Sequence, residues 1–152
     1  MSLYTTLIAS LVFPVQEHFK KHSTVAVHRQ MEASQWWPRE RIEALQLERL
    51  RTLLAEVGTR VPYYRDLFAR LNFHPEAVRN VADLQALPFL TKAVIRAHTD
   101  ALKHEQAVGL ARFNTGGSSG EPLIFFIGNE RVSHDVAAKW RATRWWGVDI
   151  GD

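Results

Sequence analysis

Nine consecutive residues, Asn114-Thr115-Gly116-Gly117-Ser118-Ser119-Gly120-Glu121-Pro122, stand out as a segment able to do chemistry. Three glycines let the backbone take positive φ and bring several N–H groups together, and Thr115, Ser118 and Ser119 add hydroxyl donors. Such a loop can wrap an anionic phosphate chain. It is not a Walker loop, because no Lys-Ser/Thr pair follows the last glycine, and it is not a dinucleotide fingerprint, because Thr115 stands where the first glycine belongs. Both of those motifs also open a helix, whereas Pro122 and the apolar run Leu123-Ile124-Phe125-Phe126-Ile127 indicate a strand. A hairpin connection without a ligand fits the same composition. Ser118 is not read as a hydrolase nucleophile, since the Gly-x-Ser-x-Gly spacing is absent.

Other reactive types are scattered. His18 and His22 have the i, i+4 spacing of helical metal ligands, but Phe19 stands where a zinc protease needs Glu and no third ligand is near, so no metal site is assigned. Histidines 28, 74, 98, 104 and 134 lie in different elements and read as surface or capping residues. Trp36, Trp37, Trp140, Trp145 and Trp146 could stack on a base or line an aryl pocket, yet their places near helix ends favour packing between elements.

The elements that must position the loop are mostly helical. Residues 1–37 read as one or two helices with a polar break around Lys20 to Val27, and Pro38 suits a helix start. From Arg39 to Val57 the residues Ile42, Leu45, Leu47, Leu50, Leu53, Leu54 and Val57 mostly fall on one helical side, with Gly58 as the expected stop. Pro62 restarts the chain, and Tyr64, Leu67, Phe68 and Leu71 follow amphipathic spacing. A short helix is expected over Val81 to Leu87, and Thr91 can cap another from Lys92. Strands are expected at Leu110 to Asn114 and Leu123 to Ile127. A last helix would be capped by Asn129, carry Val132, Val136 and Trp140 on one face, and end at Gly147. Asp149 to Asp152 read as the approach to another strand. One strand pair leaves many apolar helix faces uncovered, so an incomplete domain that self-associates is expected.

Composition bounds these readings. The 152 residues are 46% hydrophobic and 23% charged, which excludes a disordered tail or a rod. Nineteen Lys and Arg against sixteen acids leave a charge of only +3, and the bases alternate with acids from Arg39 to Arg70, so no nucleic-acid partner is expected. With no cysteine there is no disulfide framework or thiolate nucleophile, and a cytoplasmic location is expected. The first sixteen residues carry no charge and are strongly apolar, but Pro14, Glu17, Lys20 and Lys21 end the stretch short of a membrane span, and no signal-peptide pattern is present. A helix docked on the protein itself or on a partner is the expectation.

The segment Thr115 to Leu123 resembles the phosphate-binding signature of the AMP-forming adenylating enzymes, the acyl- and aryl-CoA ligase superfamily. Val61-Pro62-Tyr63-Tyr64-Arg65 and Asp83-Leu84-Gln85-Ala86-Leu87-Pro88-Phe89-Leu90-Thr91-Lys92 are similar to stretches of its phenylacetate-CoA ligase and CapK-like branch, linked in places to capsule or exopolysaccharide gene clusters. The likeness runs from about Ser34 onward. Leu123 stands where many members have Lys and Gly116 where many have Ser, which fits that branch. The resemblance implies an α/β fold: a mostly helical N-terminal region leading into the first strands of the ligase N-terminal domain. It divides the chain into a helical segment at 1–37, a helical region at 38–109, and the start of the ATP-binding core at 110–152 with phosphate loop 115–122. It further implies that Thr115, Gly116, Gly117, Ser118, Ser119 and Gly120 hold ATP phosphates with Mg2+, that a carboxylate is adenylated, and that coenzyme A takes up the acyl group. The family's adenine-, ribose- and magnesium-binding residues and its catalytic Lys lie downstream, so no catalytic residue is assigned within the chain, which is expected to need the rest of the ligase. The rival reading is a non-enzymatic helical module that binds a partner through the apolar Met1 to Val15 helix and the tryptophans.

Overall fold

The structure is a computed structural model that describes residues 3–115 and 122–152. The described residues are mostly helical, with one two-stranded antiparallel sheet. They divide into two compact units, Pro38–Phe126 and a second made of Met1–Trp37 with Ile127–Asp152.

In the unit Pro38–Phe126, α4 (Arg39–Arg60) packs on α5 (Pro62–Leu71). Pro62 sits in the first turn of α5, where an N–H would have no helical partner. Leu54, Leu67, Phe68 and Val78 are buried together, with Leu50, Val57, Tyr64 and Phe73 packed around them. Gly58 does not stop α4, which runs on to Arg60. A Cβ at Gly58 would lie 2.8 Å from the Phe68 ring, so this glycine brings α5 close rather than ending the helix. Helix α5 ends at Asn72 in the left-handed region, and the Phe73 N–H donates to the Phe68 carbonyl at 2.9 Å.

The chain then runs through tight turns toward the sheet. The expected helix at Val81 is a 3-10 turn, Val81–Ala86, fixed by a capping box in which Asn80 accepts from Ala82 N–H and Asp83 accepts from Asn80 N–H. Thr91 caps α6 (Lys92–Ala97) by accepting from Val94 N–H at 3.3 Å. Glu105 N–H donates to Arg60 carbonyl at 2.9 Å and Arg65 pairs with Glu105 at 3.1 Å, which ties the approach to the sheet onto the α4–α5 corner. Strands β1 (Ala111–Asn114) and β2 (Ile124–Ile127) follow.

In the other unit the polar break is shorter than the sequence suggests. A helix runs from α1 (Leu3–Leu7) through a π turn (Ile8–Val12) into α2 (Phe13–Phe19), and α3 begins at Thr24 and runs to Ser34. Pro14 removes an N–H and crowds the preceding turn, and the wide π turn just before it relieves that crowding. Helix α3 pairs with α7 (Asn129–Arg144) through small residues: Thr24, Ser133 and Ala137 are fully buried. The buried face of α7 is therefore Ser133, Ala137 and Trp140 rather than Val132 and Val136, because small side chains let the helix axes approach. Gly128, not Asn129, holds the N-cap position. Asp149 to Asp152 form turns, not a strand. Asp149 accepts from the Trp140 indole N–H at 2.6 Å and Asp152 from the Thr5 hydroxyl at 2.8 Å. Gly151, at φ 99°, lies where a Cβ would come within 2.9 Å of Ile8.

Candidate functional site

Strands β1 and β2 place the two ends of the Gly/Ser loop side by side. Thr115 N–H donates to the Leu123 carbonyl at 3.0 Å, and the Thr115 hydroxyl oxygen accepts from Leu123 N–H at 3.0 Å. A hydroxyl that accepts through a lone pair keeps its proton free to donate elsewhere. Thr115 can thus close the neck of the loop and still offer an O–H at its mouth. Phe113 and Phe125 stack across the pair, with ring centroids 6.2 Å apart. Gly116, Gly117, Ser118, Ser119 and Gly120 lie outside the described residues, so of the six expected phosphate-binding residues only Thr115 has a described geometry.

Beside the sheet lies a cavity of about 500 Å3, lined by Val57, Val61, Tyr64, Ile95, Leu102, Ile124 and Phe126 among others. Lys103 Nζ stands 4.0 Å above the Phe126 ring and pairs with Asp100 at 2.8 Å, which holds that carboxyl below its ordinary range. His104 Nε2 meets Glu56 Oε1 at 2.8 Å at the rim. Burial, with Tyr63 beside it, pushes the Tyr64 hydroxyl above its usual pKa, so it stays a neutral donor. The walls are apolar and the rim carries a cation and an acid–histidine pair, a chemistry suited to an apolar body with a polar end. Sequence reasoning missed this cavity. Its signal is the unbroken apolar run of β2, which marks a strand half-buried on both faces.

Among the described residues no group of three or more His, Cys, Asp or Glu side chains is placed to hold a metal ion. His18 and His22 do not share a helical face, because α2 ends at Phe19, Lys21 turns left-handed and His22 Nδ1 meets Glu17 at 3.1 Å. The tryptophans divide. Trp140 is buried, stacked on His28 with centroids 3.8 Å apart, while Trp36, Trp145 and Trp146 are largely exposed.

No family model matches the chain. Among curated proteins it is similar to the phenylacetate-coenzyme A ligase of Thermus thermophilus, 37% identical over 92 residues that cover 57% of this chain and 20% of the relative. The phenylacetate-coenzyme A ligase of Escherichia coli is 32% identical over 89 residues, and that of Aromatoleum evansii 36% over 90, each covering 56% of this chain and 20% of the relative. The chain spans about a fifth of the length of these relatives. The resemblance to phenylacetate-CoA ligases read from the loop and the two upstream motifs is thereby shown.

Proposed function

We propose that this chain forms the N-terminal part of an AMP-forming carboxylate–CoA ligase, in which the Gly/Ser loop 115–122 holds the triphosphate of ATP. The observation that carries the reading is the similarity to three phenylacetate-coenzyme A ligases. The hairpin neck at Thr115 and Leu123 supports it, because two hydrogen bonds hold the ends of the glycine-rich segment together.

A carboxylate is a poor electrophile. Its oxygen attacks the α-phosphorus of ATP, the bond from that phosphorus to the bridging oxygen breaks, and pyrophosphate leaves with the electron pair. The thiolate of coenzyme A then attacks the acyl carbon and AMP departs. Negative charge gathers on the pyrophosphate in the first step, where the loop's N–H groups and the hydroxyls of Thr115, Ser118 and Ser119 would offset it. Mg2+ bound with the nucleotide would add positive charge against the same oxygens; among the described residues no group of three or more His, Cys, Asp or Glu side chains is placed to hold it. A cytoplasmic location follows from this reading, since ATP and coenzyme A are drawn from that pool.

Calorimetric titration of the chain with Mg-ATP tests the proposal. Weak saturable heat is expected, and Ser118→Ala should weaken it roughly tenfold through the loss of one hydrogen bond to a charged group. A flat titration overturns the loop assignment. Pyrophosphate exchange with a panel of aryl and fatty acids should stay at blank for this chain alone, and turnover above blank would overturn its dependence on the rest of a ligase.

A further inference from the structure

The helix from Leu3 to Phe19 is amphipathic in the reverse sense. Its most buried residues are polar, Thr5 at 2% exposure and Glu17 at 3%, while Leu3 is 92% exposed and Phe19 81%. Leu7, Leu11 and Val15 continue the exposed row between those two, and Tyr4 and Val12 widen it. An α-helix drifts by about 40° over four residues, so a strict four-residue row would spiral around it. The π turn at Ile8–Val12 advances less per residue and takes part of that drift back, keeping the row on one side. A patch of this size left in water is costly, and monomeric proteins seldom display one without using it.

The buried polar groups explain why the helix lies this way up. Glu17 accepts from the Thr24 hydroxyl, and His22 Nδ1 and Lys20 Nζ stand 3.1 and 3.6 Å from its carboxylate. This anchoring fixes the polar side inward and leaves the leucines outward. It also turns the helix's single acid away from solvent, and the surface that remains is uncharged from Leu3 to Gln16 with Lys20 and Lys21 exposed at its end. An apolar stripe with no acid in its own row and with Lys20 and Lys21 at its C-terminal end complements a layer of hydrocarbon beneath anionic headgroups. The helix is too short and too polar on its inner side to span a bilayer, and no helix among the described residues is long and apolar enough to do so. The motifs that carry the ligase resemblance, 61–65, 83–92 and 115–123, all lie outside this helix, so the resemblance gives it no role.

We propose that the Leu3–Phe19 helix docks in the plane of an anionic phospholipid surface, independently of the ligase reading. Flotation of the chain with vesicles of phosphatidylcholine alone and with phosphatidylglycerol added is the test. Binding is expected to be strong only with phosphatidylglycerol and to weaken with salt. Leu7→Glu and Leu11→Glu, both at exposed positions and checked for intact helicity by circular dichroism, should each weaken it roughly tenfold. Lys20→Gln and Lys21→Gln should cost about fivefold each, on phosphatidylglycerol vesicles only. Phe89→Glu, at an exposed apolar site in the other unit, should change nothing. The proposal is overturned if the chain stays with the unbound fraction on both vesicle types, if Phe89→Glu weakens binding as much as Leu11→Glu, or if the stripe instead closes a dimer that Leu11→Glu breaks and vesicles do not compete with.

Discussion

Among the described residues of Pro38–Phe126 the buried set is Leu54, Val61, Leu67, Phe68 and Val78, without a polar side chain, whereas Met1–Trp37 with Ile127–Asp152 buries Thr5, Glu17, Thr24, His28 and Ser133 beside Val27, Ala137 and Trp140. The first arrangement rests on apolar area and shape, which no proton can alter. The second rests on hydrogen bonds and polar packing, and it already carries an open position: His28 Nε2 is buried without a hydrogen bond, 3.7 Å from Glu32. Arg144 to Glu32 at 2.8 Å and Trp140 to Asp149 at 2.6 Å extend that polar network outward from the α3–α7 contact. One unit should therefore fail by cavity formation and the other by protonation.

The largest effect expected is in the apolar unit. Phe68 packs on Phe73 with centroids 4.8 Å apart, on Tyr64 at 5.9 Å and against Gly58. Phe68→Ala should cost about 3–5 kcal/mol, read from urea unfolding by far-ultraviolet circular dichroism. All five tryptophans lie in the other unit, so native fluorescence should stay unshifted in the folded variant. A loss below about 1 kcal/mol would show that the core collapses around the vacancy and is not close-packed there.

Much of the apolar unit was legible, because its elements announce themselves locally. Pro62, the Tyr64–Leu71 spacing and Thr91 each specify a start or a face within a few residues, and the structure follows them except at Leu71, which is exposed. Gly58 misled because a helix stop and a close helix contact call for the same residue, and only the distance to Phe68 separates them. The polar unit was far less legible. Nothing local in Ser23 or Ser133 says that the Ser23 N–H donates to the Ser133 hydroxyl across more than a hundred residues, and a buried serine looks like a surface one until its partner is placed. At the candidate site the strands around the loop were readable from period and proline, while the cavity beside β2 was not, since it gathers residues from α4, α5, α6, the segment that follows α6, and β2.

Acid should act on the polar unit first. Burial holds His28 below its usual pKa, with Arg144 and Arg141 also opposing its charge while Glu32 and Asp149 favour it. The unfolded chain, titrating near 6.5, then binds the proton more readily than the folded one. The stability that His28 contributes is therefore full above about pH 6.5 and is lost as pH falls through the folded value. Glu17 follows in a lower window. Burial resists its ionisation, but the Thr24 and His22 bonds and the nearby Lys20 outweigh that and set its carboxyl below the ordinary range, so its contribution is lost only as pH falls beneath about 4.5. Tryptophan fluorescence, which reports this unit alone, should shift in two stages on acidification. His28→Phe should erase the upper stage and spare the lower. A single transition unchanged in His28→Phe would show that the stacked pair at Trp140 does not govern the acid response.

The smallest effect is expected where the apolar unit does use a polar contact, at its rim. Thr115 is exposed, and Leu123 N–H has water as an alternative partner, so the bond between them carries little of the unit's stability. Thr115→Val keeps the branched side chain that suits a strand end and removes only the hydroxyl. The expected cost is about 0.5–1.5 kcal/mol, with faster hydrogen exchange at the Leu123 amide as the local readout. Thr115→Ser should restore slow exchange, because it restores the acceptor. In Mg-ATP titration Thr115→Val should lose more than this stability change accounts for, since a donor at the loop mouth disappears along with the bond to Leu123 N–H. Exchange that quickens while Mg-ATP binding holds would make Thr115 a structural clamp only, and would move the phosphate grip wholly onto residues 116–120.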